Sequence, residues 1–228
     1  MTATALFAAD SITLALGGRT ILQAAYVDAV PGSITALVGR SGAGKTTLFE
    51  VLVGRRRPDG GQVRWNGERV GRPTLAALAR RGLFYHPDRP WLAMYLSLAD
   101  HLRLLGDWRD WSGVVEALGA TAWLDQRIGS LSGGELRLAE LALGFALRPI
   151  VVLLDEPFRG LEPLHRERVA GALRRFATGG AAVLYADHDV QSVRRTADRL
   201  FSIEQGATRL VQDFKDRPLH EWYHAWPA

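Results

Sequence analysis

A glycine-rich segment at residues 39–47 has the residue types of a phosphate-binding loop. It fits the pattern G-x-x-x-x-G-K-[ST] and runs through Gly39, Arg40, Ser41, Gly42, Ala43, Gly44, Lys45, Thr46 and Thr47. Glycines let backbone N–H groups face phosphate oxygens, Lys45 supplies a positive charge to the β- and γ-phosphates, and the Thr46 hydroxyl is a ligand for Mg²⁺. Taken alone, the loop predicts a nucleoside triphosphate site without specifying a reaction.

Two adjacent carboxylates, Asp155 and Glu156, follow the apolar segment 150–154. Adjacent residues of an extended chain point in different directions, so we expect Asp155 to reach the Mg²⁺ shell while Glu156 faces the attacking water. Burial at a strand end raises the basicity of a carboxylate, which suits Glu156 to the role of general base. The alternative is that both are surface acids at the end of a strand.

His188 lies in the segment Asp187-His188-Asp189, which follows another apolar strand. We predict that it hydrogen-bonds the γ-phosphate and positions the water, and that it forms the catalytic set with Lys45 and Glu156. The remaining histidines have no comparable position and are interpreted as surface or satisfied core residues; they are His86, His101, His165, His220 and His224.

A second glycine-rich segment precedes a long predicted helix and reads Leu131, Ser132, Gly133, Gly134 and Glu135. A serine and two glycines at a helix N-terminus form an anion-binding device, because unpaired N–H groups and the helix dipole both favour negative charge. One chain rarely needs two such devices for one triphosphate. The second is therefore predicted to contact the nucleotide held by another copy of the chain.

Alternating strands and helices must position these groups. Strands are predicted over 11–16, 21–30, 33–38, 62–65, 68–70, 83–85, 150–154, 181–185 and 198–204, and helices over 45–53, 74–81, 98–105, 112–118, 134–147 and 164–177. Strands separated by helices predict an α/β fold with a mostly parallel sheet and ligands at the carboxyl ends of its strands. We assign the chain to a single domain, 1–228. Its nucleotide-binding core comprises 1–73 and 149–205, its helical subdomain 74–148 and its C-terminal tail 206–228.

Composition excludes several other classes of protein. The 228 residues are 47% hydrophobic and 23% charged, as in a globular protein with a sizeable core, and none is cysteine, which excludes disulfides and a cysteine nucleophile. No segment approaches the roughly 20 apolar residues that span a bilayer, and residues 1–9 lack the basic region of a signal peptide. The net charge of +4 is scattered outside residues 55–57, so we expect no nucleic-acid partner.

The motifs occur in the order and spacing of the ABC (ATP-binding cassette) transporter ATPases. They are GRSGAGKTT at 39–47, LSGGE at 131–135, VVLLDEP at 151–157 and the histidine at 188, and the chain resembles the family over nearly its whole length. DEPFRGLEP and ADHDV, at 155–163 and 186–190, resemble the lipopolysaccharide-export and branched-chain amino-acid-import branches.

The resemblance implies a P-loop NTPase (RecA-like) core, an N-terminal antiparallel β subdomain and a helical insertion subdomain. It also implies a homodimer or heterodimer of cassettes that holds two ATP molecules and Mg²⁺. Each nucleotide would lie between Lys45 of one subunit and Ser132-Gly133 of the other. ATP-driven closure would move a transmembrane permease subunit, with the cassette in the cytoplasm at the inner face of the cytoplasmic membrane.

Three positions depart from the family pattern. Leu16 stands where an aromatic residue stacks on adenine, which predicts weaker and less base-selective nucleotide binding unless Phe7 or Tyr26 takes its place. Asp88 stands at the position of a switch glutamine, so it either joins the Mg²⁺ shell and raises the Mg²⁺ requirement or points away. Glu162 replaces an aspartate, and communication between the two sites is expected to persist.

Large apolar residues after Asp88 are candidates for the permease contact. Trp91, Met94 and Tyr95 border the groove that receives a coupling helix in the family, or else they are core residues of the helical subdomain. Core positions are predicted for Trp108, Trp111 and Trp123, whereas the tail aromatics Trp222, Tyr223 and Trp226 are left undecided between the body and a partner.

Two other functions stay open from the sequence. One is an ABC ATPase without a transport role, although its translation-type members carry two cassettes and its repair members carry a long coiled coil. The other is a regulatory cassette with weak hydrolysis. Because the catalytic set and Asp155 are all present, an active but slow or unusual ATPase of a transporter is the favoured interpretation.

Overall fold

Two β-sheets and the helices between them position the predicted residues in the computed structural model, which describes residues 4–106 and 111–215. The strands are β1 (Phe7–Leu16), β2 (Arg19–Ala29), β3 (Ile34–Val38), β4 (Gly60–Trp65), β5 (Glu68–Val70), β6 (Leu83–His86), β7 (Val151–Asp155), β8 (Ala182–Asp187), β9 (Arg199–Glu204) and β10 (Ala207–Leu210). The helices are α1 (Lys45–Leu52), α2 (Leu75–Arg80), α3 (Leu98–Arg103), α4 (Ser112–Leu118), α5 (Gly133–Ala146), α6 (Pro163–Thr178) and α7 (Val190–Thr196).

The first sheet is antiparallel, with strand order β2-β1-β4-β5. Its last two strands form the hairpin that the sequence predicts around Asn66-Gly67. Both turn residues have positive φ, 51° and 79°, as a two-residue type I′ turn requires. The predicted N-terminal antiparallel subdomain is confirmed.

The second sheet has the order β10-β9-β3-β8-β7-β6, and only β10 runs antiparallel to its neighbour. Every residue of β3, β7 and β8 is buried, as expected for parallel strands covered on both faces. The predicted mostly parallel α/β sheet is therefore confirmed. The segments that follow these three strands carry the glycine loop, Glu156 and His188, so all three lie at one edge of the sheet.

Helix α1 is packed between the two sheets. An isolated helix of eight residues is marginal in water, so packing must hold it. Leu48, Phe49 and Leu52 are each 0% exposed in the core that the sheets share, and each fully buried side chain of this kind contributes about 1.5–3 kcal/mol. This packing holds Lys45, the first residue of the helix, next to the loop that precedes it.

The predicted subdomain boundaries need two corrections. Strand β6 lies inside the predicted helical subdomain, between α2 and α3, but pairs with β7 in the core sheet, where its four residues are all buried. Strand β10 lies inside the predicted tail but pairs with β9. Helix α7 was not predicted. Trp108, His220, Trp222, Tyr223, His224 and Trp226 lie outside the described residues.

Gly144→Ala is expected to destabilise the fold. A Cβ at Gly144 in α5 would lie 1.9 Å from the Phe84 ring of β6, so the buried ring would have to move, at about 1–3 kcal/mol. Urea unfolding measures the loss. Gly171→Ala in α6 is the matched control, because nothing lies within 4 Å of its added Cβ and it should gain roughly 0.5–1 kcal/mol. Equal stability of the two variants would contradict this account of the α5–β6 contact.

Candidate nucleotide-binding site

The glycine loop connects β3 to α1 in the conformation that a phosphate cradle needs. Gly42 and Gly44 have φ angles of 80° and 108°, which favour glycine. The Lys45 ammonium donates to the carbonyl oxygens of Gly39 at 2.6 Å and Arg40 at 3.1 Å. Lys45 is 6% exposed, and burial lowers its pKa from the ordinary value. The loop therefore holds a largely desolvated positive charge at the helix N-terminus.

Asp155 is a buried carboxylate whose surroundings fit a Mg²⁺ ligand. It is 0% exposed, and burial raises its pKa to about 6, an effect that the Thr46 hydroxyl partly offsets. Neither of its oxygens has a well-formed hydrogen bond in the described chain. Buried carboxylates rarely stay unpaired. A cation beside Thr46 and Asp155 would satisfy these oxygens.

The protein does not supply a complete metal cage. Within residues 4–106 and 111–215, no three His, Asp or Glu side chains are arranged to hold a metal ion. Mg²⁺ is commonly bound by one or two carboxylates together with substrate phosphates and water. The pair Thr46 and Asp155 fits that kind of site, in which the nucleotide completes the coordination.

Glu156 and His188 lie side by side beyond the ends of β7 and β8. His188 Nδ1 is 3.4 Å from Glu156 Oε1, and the two side chains are 59% and 19% exposed. Glu156 has a φ of 49°, an uncommon conformation for this residue type, and its N–H donates to the carbonyl oxygen of Ala186. Glu156 therefore turns away from the buried Asp155, into space that solvent reaches.

Asp187 supports the turn that presents His188, a role that the sequence did not reveal. Its Oδ1 accepts hydrogen bonds from the backbone N–H groups of His188 at 2.7 Å and Asp189 at 2.9 Å. Burial raises the pKa of the Asp187 carboxyl. Its position at the end of an apolar strand was the available signal.

Asp88 points toward two arginines that sequence reasoning missed. Its Oδ2 lies 2.7 Å from Arg159 Nη1, and its Oδ1 lies 3.4 Å from Arg137 Nη2. Of the two predicted possibilities, a Mg²⁺ contact or a side chain that points away, these ion pairs favour the second. The charge of Asp88 still helps to raise the pKa of Asp155.

The segment 131–135 forms the N-terminus of α5. The Ser132 hydroxyl accepts from the Glu135 N–H at 3.3 Å, and the Glu135 carboxylate accepts from the Ser132 N–H at 2.8 Å, which is a capping box. These hydrogen bonds lower the pKa of Glu135. Ser132 and Gly133 are exposed. The helix tip thus presents its first N–H groups and its positive dipole end to a partner.

Leu16 ends β1 and is 38% exposed beside the Gly17-Gly18 turn. Both proposed aromatic substitutes have contacts of their own. Phe7 is 1% exposed and packs edge-to-face on Trp65, and the Tyr26 hydroxyl donates to Asp28 at 3.1 Å. Leu16, which is apolar but not aromatic, thus occupies the position at which the family resemblance predicts an adenine-stacking residue.

His86 is a satisfied core histidine whose partners the sequence did not reveal. It is 0% exposed, and its Nδ1 lies 3.1 Å from Arg137 Nη1. A guanidinium only donates, so Nδ1 accepts and the N–H at Nε2 donates to Glu140 at 3.1 Å. Burial lowers the pKa of His86 and favours this neutral form. Glu140 also accepts from the Trp91 N–H at 2.8 Å, which links α5 to the segment after Asp88.

Three large apolar side chains of the segment after Asp88 lie on the surface. Trp91, Met94 and Tyr95 are 41%, 45% and 76% exposed, so the core interpretation is wrong for these three residues. Trp123 is buried and Trp111 packs against the core, as predicted.

A family model described as ABC transporter matches residues 22–159, which is more than half of the chain. The chain belongs to the ABC transporter family. It is an ATP-binding, ATP-hydrolysing subunit of that family, as the motifs predicted. Within the described residues, every helix is too short or too polar to span a bilayer.

Relatives of this ABC transporter subunit match along most of its length. The lipopolysaccharide export system ATP-binding protein LptB of Acidithiobacillus ferridurans is 30% identical over 226 residues, which cover 94% of each chain. The zinc import ATP-binding protein ZnuC of Halorhodospira halophila is 33% identical over 201 residues, covering 86% of this chain and 73% of the relative. An ATP-binding subunit of an ABC transporter has the same fold, with a TM-score of 0.84 at 24% identity over 96% of this chain and 98% of that one.

Asp155→Asn is expected to stabilise the nucleotide-free protein at pH 8. The raised pKa means that the folded chain binds more protons than the unfolded chain between pH 3.8 and about 6, so stability falls as pH rises through that window. Removing the buried charge should add on the order of 2–3 kcal/mol at pH 8, or roughly 5–10 °C in Tm. The gain should shrink as pH falls toward 4.

Asp28→Asn is the matched control for this measurement. Asp28 is also buried, but its carboxylate is paired with Arg199 at 2.5 Å, so the same substitution should lower Tm at pH 8. Thermal unfolding of both variants at several pH values separates the two cases. If the Tm of Asp155→Asn at pH 8 is equal to or lower than that of the wild type, the Asp155 carboxylate must have a stabilising partner, and this account of it is wrong.

Proposed function

We propose that this ATPase works as a head-to-tail dimer of cassettes that closes on two ATP molecules and drives a transmembrane permease subunit. Mg²⁺ bound at Thr46 and Asp155 would neutralise phosphate charge. The exposed N-terminus of α5 carries the proposal, because it is a second anion-binding site that is separate from the glycine loop at residues 39–47. The cassette would act in the cytoplasm, held to the inner face of the membrane through the permease.

Each residue near the phosphates has a distinct task in this scheme. The Lys45 ammonium, which donates to two loop carbonyl oxygens, would donate to the β- and γ-phosphates of bound ATP. Ser132 and Gly133 of the other subunit would bind the same γ-phosphate through the hydroxyl and backbone N–H groups. Closure therefore brings together groups that are far apart in sequence.

Hydrolysis requires a base beside the attacking water. Glu156 would accept the proton of that water on a carboxylate oxygen while water oxygen attacks the γ-phosphorus and ADP leaves. His188, 3.4 Å from Glu156, would orient the water and donate to the γ-phosphate. This juxtaposition supports an active ATPase over the regulatory alternative.

The surface formed by Trp91, Met94 and Tyr95 would receive the coupling helix of the permease. Three exposed apolar side chains within five consecutive residues suit an adaptable docking surface. The backbone N–H of Trp91 donates to the Glu140 carboxylate of α5. A displacement of this surface by the permease would therefore be transmitted to the helix whose N-terminus would contact the nucleotide of the other subunit. The names of LptB and ZnuC support a transport role and leave the cargo of this chain undetermined.

Glu156→Gln is expected to reduce ATP turnover by about 10²–10⁴-fold while ATP binding persists, because the base is lost and the phosphate contacts remain. With Mg²⁺ and ATP, light scattering should show a stable dimer of this variant. Adding Gly133→Glu should abolish that dimer, because the new carboxylate faces the partner's γ-phosphate. Adding Gly113→Glu, at an equally open position in α4, should leave the dimer intact. A dimer that survives Gly133→Glu would exclude the head-to-tail arrangement.

Tyr95→Glu is expected to reduce co-purification of the permease from detergent-solubilised membranes. The charge would have to be buried against an apolar coupling helix, whereas turnover by the isolated cassette should stay at the wild-type level. Leu104→Glu is the control, since Leu104 is 77% exposed and Tyr95 is 76% exposed. Equal permease recovery with both variants would place the docking surface elsewhere.

A further inference from the structure

Arg159 places one guanidinium nitrogen between two carboxylates of the site. Its Nη1 is 2.7 Å from Asp88 Oδ2 and 3.6 Å from Glu156 Oε2. The backbone N–H of Arg159 donates to the carbonyl oxygen of Glu156 at 3.2 Å, so a tight turn holds the two residues together. The shorter distance is a hydrogen bond, while 3.6 Å is beyond hydrogen-bond reach.

The two oxygens of Glu156 face different partners. His188 lies 3.4 Å from Oε1, and Arg159 lies 3.6 Å from Oε2. The side chain is thus held from two sides without a direct hydrogen bond to the guanidinium. A carboxylate in this arrangement keeps a definite orientation and still has a lone pair for water.

Asp88 is itself held from the side of α5. Arg137 is 8% exposed, contacts His86 through Nη1, and approaches Asp88 Oδ1 at 3.4 Å through Nη2. Asp88 therefore lies between one buried guanidinium and the exposed guanidinium of Arg159. The negative charge that Asp88 adds beside Glu156 is balanced by these two arginines.

We propose that Asp88 and Arg159 act as one positioning unit for Glu156. Asp88 holds the guanidinium of Arg159 close enough to orient Glu156 Oε2 but too far away to form a hydrogen bond with it. The ion pair as a whole would thus take the role of the neutral glutamine that the family pattern has at position 88. Without Asp88, the Arg159 guanidinium moves into hydrogen-bond contact with Glu156 Oε2. That oxygen is then no longer available to accept a proton from the attacking water. Without Arg159, the carboxylates of Asp88 and Glu156 repel each other. The inference rests on the proposed role of Glu156 as general base.

The pair is suited to mutation because it contributes little to folding. Arg159 is 58% exposed and Asp88 is 31% exposed, and ion pairs at such exposure are worth little in stability. The variants Asp88→Gln, Arg159→Ala and the double variant should therefore fold. A purely structural role of the pair would appear as a lower Tm and an unchanged kcat.

The test is a double-mutant cycle on steady-state ATP turnover, with ATP affinity measured separately by a fluorescent nucleotide. Each single variant should lower kcat by roughly tenfold, about 1.4 kcal/mol of barrier, with KM and affinity nearly unchanged. The double variant, with a neutral glutamine and no guanidinium, should be faster than either single variant. Arg159→Lys, which keeps the charge, should be faster than Arg159→Ala.

Two results would overturn the inference: single-variant losses that multiply in the double variant, or single variants with wild-type kcat. Asp10→Asn and Arg64→Ala provide the matched control, because they break an exposed ion pair of 2.8 Å in the first sheet and should leave kcat unchanged. Glu156→Gln in the same assay tests the proposed general base separately from the positioning unit. If it turns over ATP at the wild-type rate, the proposed base is wrong; if it is inactive and the cycle is multiplicative, only the positioning unit is wrong.

Discussion

Parallel pairing of three buried strands is the constraint on which the site depends. In register, Val38 lies opposite Asp187, and Asp155 lies opposite Ala186. The glycine loop, Glu156 and His188 each follow one of these strands within a few residues. Segments more than 100 residues apart in sequence therefore meet at one sheet edge, and no loop has to fold across the molecule to bring them together.

Burial at that edge also determines the electrostatics. Lys45, Asp155 and Asp187 lose most of their water, and the pKa of the ammonium falls while those of the carboxyls rise. The site thus holds charged groups that are poorly compensated by one another. Binding of phosphates and a cation would relieve this imbalance, which gives the site a physical preference for its ligand.

A buried polar network connects this edge to the rest of the molecule. Arg137 and Glu140 of α5 hold His86 at the end of β6, and the same two side chains reach Asp88 and the backbone of Trp91. Helix α5 begins at the exposed tip that would meet a second nucleotide. One rigid helix therefore contacts both the proposed dimer interface and the neighbourhood of the proposed permease contact.

Local sequence patterns predict the family, the sheet and most of the candidate site: a glycine loop before a helix, two acids after an apolar segment, and a serine with two glycines before α5. Tertiary structure alone decided the partners of Asp88, which are 49 and 71 residues away, and the membership of β6 and β10 in the core sheet. Such long-range contacts produce no recognisable pattern in the local sequence. They arise only when packing brings side chains from different strands and helices together. The consequence of having aspartate at position 88, its pairing with Arg137 and Arg159, is therefore visible only in the folded structure.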